Sequence, residues 1–194
     1  AKAGGGPLID LGVHVIDMAI WALGNPRPIR VSAATYAELG PKGRGQWLGG
    51  RFPFNPGETY DVEDLATAFI RFDGGLTLQV DASWAAYTSH GDDFGLTVLG
   101  NEGGAEIKVQ DYAQTGTLRF FGDLEGVPTV TEPKLLETQG HGEIFKGFVT
   151  SILTGAPMSP SGEEGLERVR LIEAIYRSAE LGREVDVEEG PGPR

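Results

Sequence analysis

The sequence predicts an α+β fold, with a single, mostly antiparallel open sheet covered on one face by helices. Three observations predict it. The chain opens on an apolar helical stretch, a long middle part consists of short strand-like runs separated by glycine-containing turns, and two segments of helical period close it. Residues 1–187 are expected to form the folded unit, with 188–194 a flexible tail.

Each element follows from local chemistry. Pro7 suits a first helical turn, the apolar run continues to Leu23, and Gly24 and Pro26 stop it. Over 29–39, β-branched residues in alternation predict a strand. Residues 41–57 form a long Gly/Pro-rich loop carrying Trp47, Arg51, Phe52 and Phe54, and such loops often wall a site. Strands over 62–72 and 76–84 flank Asp73-Gly74-Gly75, a hairpin turn. In the second of them, Leu76, Leu78, Val80, Ala82 and Trp84 alternate with Thr77, Gln79, Asp81 and Ser83, so one face is apolar and the other polar with little charge. Further strands are expected at 94–99, 105–110, 117–121 and 127–131. Ile144, Phe145, Phe148, Val149, Ile152 and Leu153 keep a helical period. Ser161 and Glu164 form a capping-box pattern that opens a last helix running to Gly182, and 185–187 closes the domain as a short strand.

Composition excludes several functions. The chain has 194 residues and a formal net charge of −12, with no basic run, which argues against nucleic acid as a partner. Nothing approaches the roughly 18 consecutive apolar residues of a membrane span. With no cysteine, disulfides, thiolate zinc sites and thiol catalysis are out. A cytoplasmic location fits. The chain starts without Met and runs straight into a buried-looking helix, the expectation for a piece of a longer protein.

The chemistry concentrates on the first helix. At about 100° per residue, Asp10, His14, Asp17 and Trp21 share a sector of roughly 60°. The other positions are apolar and no Lys, Arg or Glu solvates another face, so this polar line should meet either an interior network or a cleft. Two readings compete. In one, the acid sits in the first turn for the helix dipole and His14 merely pairs with Asp10. In the other, Asp10 tunes His14 as a general base near neutral pH. No metal site is expected, because His90 and His141 stand at no ligand-like spacing from His14.

The segment Gly4-Gly5-Gly6-Pro7-Leu8-Ile9-Asp10-Leu11-Gly12-Val13-His14-Val15-Ile16-Asp17, continuing to Leu23-Gly24, resembles the signature GGGxLxDxGxHxxDxxxxLxG of the glucose–fructose oxidoreductase / inositol dehydrogenase (Gfo/Idh/MocA) family. Val62-Glu63-Asp64-Leu65 resembles the family's "ED" strand, Ala82-Ser83-Trp84-Ala85 its next strand end, and Ile172-Glu173-Ala174-Ile175-Tyr176 part of its last helix. The resemblance implies a glyceraldehyde-3-phosphate-dehydrogenase-like C-terminal domain that binds substrate, preceded in the full protein by a Rossmann domain for NAD or NADP. It assigns Asp10 and His14 to the substrate hydroxyl, with His14 as the base, and leaves Asp17 structural. The substrate would be a sugar or polyol.

The family's Glu-Lys-Pro motif and any G-x-G-x-x-G are missing from the chain, so no cofactor is expected on it and it should not turn over substrate alone. The resemblance also implies a homo-oligomer through the open sheet face. Trp47 and Arg51 are candidate sugar contacts, with loop anchoring as the alternative. Two other functions keep the same signature: a non-catalytic oligomerisation or ligand-binding module, and a member that uses NAD transiently for glycoside cleavage or another reduction.

Overall fold

The computed structural model describes residues 4–45, 59–88, 91–110, 117–135 and 140–188. A π-helical turn, Leu8–Gly12, runs into helix α1, Val13–Ala22. Strands β1 (Pro28–Tyr36), β2 (Leu65–Phe72), β3 (Thr77–Ser83), β4 (Phe94–Leu99), β5 (Gly104–Val109), β6 (Thr117–Leu124) and β7 (Val127–Thr131) follow. Helices α2 (His141–Thr154) and α3 (Gly162–Leu181) and the two-residue strand β8 (Val185–Asp186) complete the chain. All described strand pairs are antiparallel.

The α+β class is the one the sequence predicts, but the strands expected in one sheet are divided between two. One has the order β3-β2-β1-β8 and the other β4-β5-β6-β7. The break follows β3. There the Ser83 hydroxyl and the Trp84 amide both donate to the carbonyl of Asp64, at 2.8 and 3.0 Å, which carries the β2–β3 register one pair past Ser83. Among the described residues no pairing joins β3 to β4. Alternation in a sequence fixes which face a residue takes, not which strand lies beside it.

The core lies between the first sheet and the helices α1 and α3. In β2 the residues Ala66, Ala68, Ile70 and Phe72 point inward, and Leu65, Thr67, Phe69 and Arg71 outward. Ile16, Ile20, Val31, Ile70, Leu171 and Ile175 are all fully buried, each contributing about 1.5–3 kcal/mol by leaving water. The capping box of α3 is formed, with the Ser161 hydroxyl accepting from the Glu164 amide and the Glu164 carboxylate accepting from the Ser161 amide. Beyond the Val31–Val185 pair, β8 is too short to continue along β1. The buried Ser178 hydroxyl of α3 takes over, accepting from the Ala33 amide at 2.9 Å and donating to the Arg183 carbonyl at 2.7 Å.

Helix α2 departs from the expected cover. None of its residues is buried, and Phe145, Ile152 and Leu153 are among the most exposed apolar side chains of the chain. Of the expected tail, Glu188 is ion-paired with Arg177 and residues 189–194 lie outside the described residues. No helix among the described residues is long and apolar enough to cross a membrane.

Candidate active site

The glycines before the first helix are there because of what lies against them. A Cβ on Gly6 would stand 2.1 Å from the Glu63 carbonyl oxygen, a backbone atom that cannot swing aside. At this close approach the Gly6 amide donates to Glu63 Oε2 at 3.0 Å, and the Leu8 amide donates to Oε1 at 3.1 Å. These amides are among the donors a helix start leaves without an internal partner. The Tyr176 hydroxyl of α3 donates to the same Oε1 at 2.8 Å. Burial, then the hydrogen bond and charge of Glu63, push the Tyr176 hydroxyl well above the usual phenol range.

The helix then takes a π turn. The Val13 amide reaches back five residues to the Leu8 carbonyl, and Asp10 lies within the widened turn. A residue widening of this kind is common at functional sites. Gly12 brings the turn against the sheet, since a Cβ there would stand 3.3 Å from the Cβ of Ala82 in β3. The strictly α-helical spacing assumed for Asp10 and His14 therefore starts only at Val13.

The polar line faces outward. Asp10, His14, Asp17 and Trp21 are all exposed, while Ile16, Ala19 and Ile20 on the same helix are buried. Asp10 does not meet His14 in a hydrogen bond among the described residues; its Oδ2 accepts from the indole Nε1 of Trp84 at 3.0 Å. Trp84 is the residue that the alternation assigns to the apolar face of β3. An indole at a strand end needs a partner for its N–H, and that was the one available signal. Asp17 accepts from Arg168 Nε at 3.0 Å, and Arg168 also donates to Asn25 Oδ1 at 2.7 Å. This buried arginine ties α1 to α3, so Asp17 has a structural partner.

Asp64 completes the surroundings. Its Oδ2 accepts the amides of Leu39 and Gly40, both at 2.7 Å, where the long loop begins. Burial, then the charges of Asp64 and Glu63, raise the Tyr60 hydroxyl above its ordinary value. Trp47 and Arg51, the sugar contacts expected in that loop, lie outside the described residues, as does His90. No cluster of three His, Cys, Asp or Glu suited to a metal ion occurs among the described residues. What the geometry brings together is an exposed imidazole and an exposed carboxylate on one helix face, the carboxylate fixed by an indole donor. Such a pair can take the proton of one hydroxyl and accept a hydrogen bond from a neighbouring hydroxyl of the same molecule.

Comparison with known proteins gives the family and the fold. A family model described as oxidoreductase family, C-terminal alpha/beta domain, matches residues 1–187. The chain is 27% identical over 185 residues to D-glucoside 3-dehydrogenase of Escherichia coli K12, covering 95% of this chain and 49% of that protein. Among solved structures, aldose-aldose oxidoreductase from Caulobacter crescentus, complexed with glycerol, superposes with a TM-score of 0.70 at 27% identity, over 95% of this chain and 48% of that one. A levoglucosan dehydrogenase in complex with NADH and L-sorbose shares the fold, with a TM-score of 0.74 at 24% identity over 97% of this chain and 52% of that one. The chain thus spans about half the length of the relatives it matches.

Proposed function

The chain belongs to the Gfo/Idh/MocA oxidoreductase family as its C-terminal alpha/beta domain, and from that premise we propose that it forms the substrate side of an NAD(P)-dependent dehydrogenase acting on a sugar or polyol hydroxyl. The relatives support the substrate class: one is named for a D-glucoside, and another is solved with L-sorbose and NADH. The chain has no G-x-G-x-x-G loop to cradle a dinucleotide, so NAD(P) would be held by residues outside it. When bound there, it supplies the hydride acceptor for oxidation and the hydride for reduction.

The chain's own residues handle the proton. An imidazole nitrogen of His14 takes the proton of the substrate hydroxyl during oxidation and returns it during reduction. Asp10 accepts a hydrogen bond from a neighbouring hydroxyl through Oδ1, while Trp84 keeps Oδ2 engaged. The observation that carries this reading is the exposed Asp10–His14 face, held by an indole donor, within the glycine signature. Trp47 and Arg51 are proposed to line the sugar from the loop.

In the complete polypeptide, His14→Ala should lower kcat by about 10²- to 10⁴-fold and leave the nucleotide Kd unchanged. Unchanged turnover would reduce the face to packing and favour a non-catalytic module. The chain by itself should show no saturable NADH binding by fluorescence titration, and tight binding would contradict the proposed division of labour.

The open face of the first sheet supports a homo-oligomer. Thr67, Phe69, Gln79 and Asp81 lie side by side in register there, with Phe69 exposed and the Arg71 guanidinium 5.1 Å from the centre of its ring.

A further inference from the structure

Two adjacent acids outside the reacting pair connect to both sides of Asp10. Glu63 and Asp64 are 8% and 2% exposed. A buried carboxylate is stable only when donors meet it, and Glu63 has three: the amides of Gly6 and Leu8 and the Tyr176 hydroxyl. An ordinary helix cap comes from the residue at the helix start, whereas this one arrives from 55 and 57 positions along the chain. It fixes the segment two residues before Asp10.

The next residue fixes Asp10 from the other side. The Asp64 carbonyl accepts the Trp84 amide at 3.0 Å, and the Trp84 indole holds Asp10 Oδ2 at 3.0 Å. The connections close a ring: Asp10 to Trp84, Trp84 to Asp64, Asp64 to Glu63, Glu63 to Leu8, and Leu8 back to Asp10 through the π turn. The Asp64 carboxylate meanwhile holds the amides of Leu39 and Gly40.

We propose that Glu63 and Asp64 form a positioning clamp that sets the Asp10 carboxylate, and through the π turn the His14 face, in working orientation. Glu63 and Asp64 are positioning residues, not catalytic ones, and Tyr176 is the link through which the last helix supports the first. The catalytic consequence rests on the proposed function; the geometric one does not. A misplacement of the order of 1 Å at a reacting pair lowers turnover by about 10²-fold, so an off-site clamp has a measurable effect.

The test uses the complete polypeptide and two readouts. Glu63→Gln puts an amide donor where one of the N–H donors needs an acceptor. It should lower kcat by about 30- to 100-fold, with substrate KM changed by less than about threefold. Tyr176→Phe leaves both amide bonds to Glu63 and should lower kcat by less than about fivefold. Independently of activity, the ¹H–¹⁵N resonance of the Trp84 indole reports its bond to Asp10, with Asp10→Asn as the reference for loss of the carboxylate. The Glu63→Gln resonance should move toward that reference.

A resonance unmoved in Glu63→Gln overturns the clamp, whatever happens to kcat. Should that variant fail to fold, Glu63→Asp, which keeps the charge but reaches one methylene less, is read by the same resonance and decides in the same way. If His14→Ala leaves turnover unchanged, the proposed function fails while the resonance still decides the clamp.

Discussion

At the scale of single residues, the organising fact is that Asp10 belongs to Trp84. A carboxylate held by an indole N–H presents its other oxygen in a fixed direction, and a charge-assisted bond is stronger than a neutral one. Trp84→Phe keeps the ring and removes the donor. Because the bond lies at an exposed position, the fold should lose well under about 1 kcal/mol, while kcat falls about tenfold. Steady-state kinetics beside urea denaturation separates the two. Equal loss in both would make Trp84 a packing residue. Asp17 obeys the opposite logic: its carboxylate meets the buried Arg168, so its role is to keep a buried cation paired.

At the scale of elements, the first helix is a helix whose start is dictated from outside. Its opening amides are satisfied by a distant carboxylate, its first turn widens to π, and its entry passes under the Glu63 backbone at Gly6. Gly6→Ala would force backbone apart from backbone. It should destabilise the chain by about 2–3 kcal/mol, read as a lower urea midpoint. A midpoint within error of the parent would show that the Glu63 backbone yields to a Cβ at position 6 without cost. Helix α3 needs no such help. Its capping box lies within four consecutive residues, which is why the sequence alone shows where it begins.

At the scale of the whole molecule, charge and surface decide behaviour. Tyr176 titrates in the folded chain above its unfolded value of about 10, because burial and Glu63 disfavour the phenolate. The folded state therefore holds its proton where the unfolded state has released it, so this contribution to stability is complete below pH ~10 and is lost as pH rises through the folded value. The melting temperature should fall as pH rises past about 10, and fall less steeply in Tyr176→Phe. Parallel curves for the two would remove Tyr176 from the alkaline limb. The open sheet face makes a second prediction at this scale. Gln79→Arg places a charge opposite Phe69 in the register and should weaken self-association of the complete polypeptide at least tenfold by sedimentation velocity. An unchanged oligomer would place the interface elsewhere.

The sequence by itself determined the kinds of element, their order, the inward and outward sides of β3, the α3 cap, and the segment on which Asp10 and His14 stand. Each of these is written within a few consecutive residues, as a period of two, a period of 3.6 or a capping pair. Only the tertiary structure decided that the strands form two sheets, that the first turn is π, that α2 leaves its apolar side open, and that Asp10 is held by Trp84. It also decided that Arg168 claims Asp17 and that Glu63 joins the first helix to Tyr176. Those partners lie 74, 151 and 113 positions apart. A donor and an acceptor at such separations find each other through the packing of the sheet and helices between them. Local periodicity shows which way a side chain faces; what it meets there is settled when the core closes.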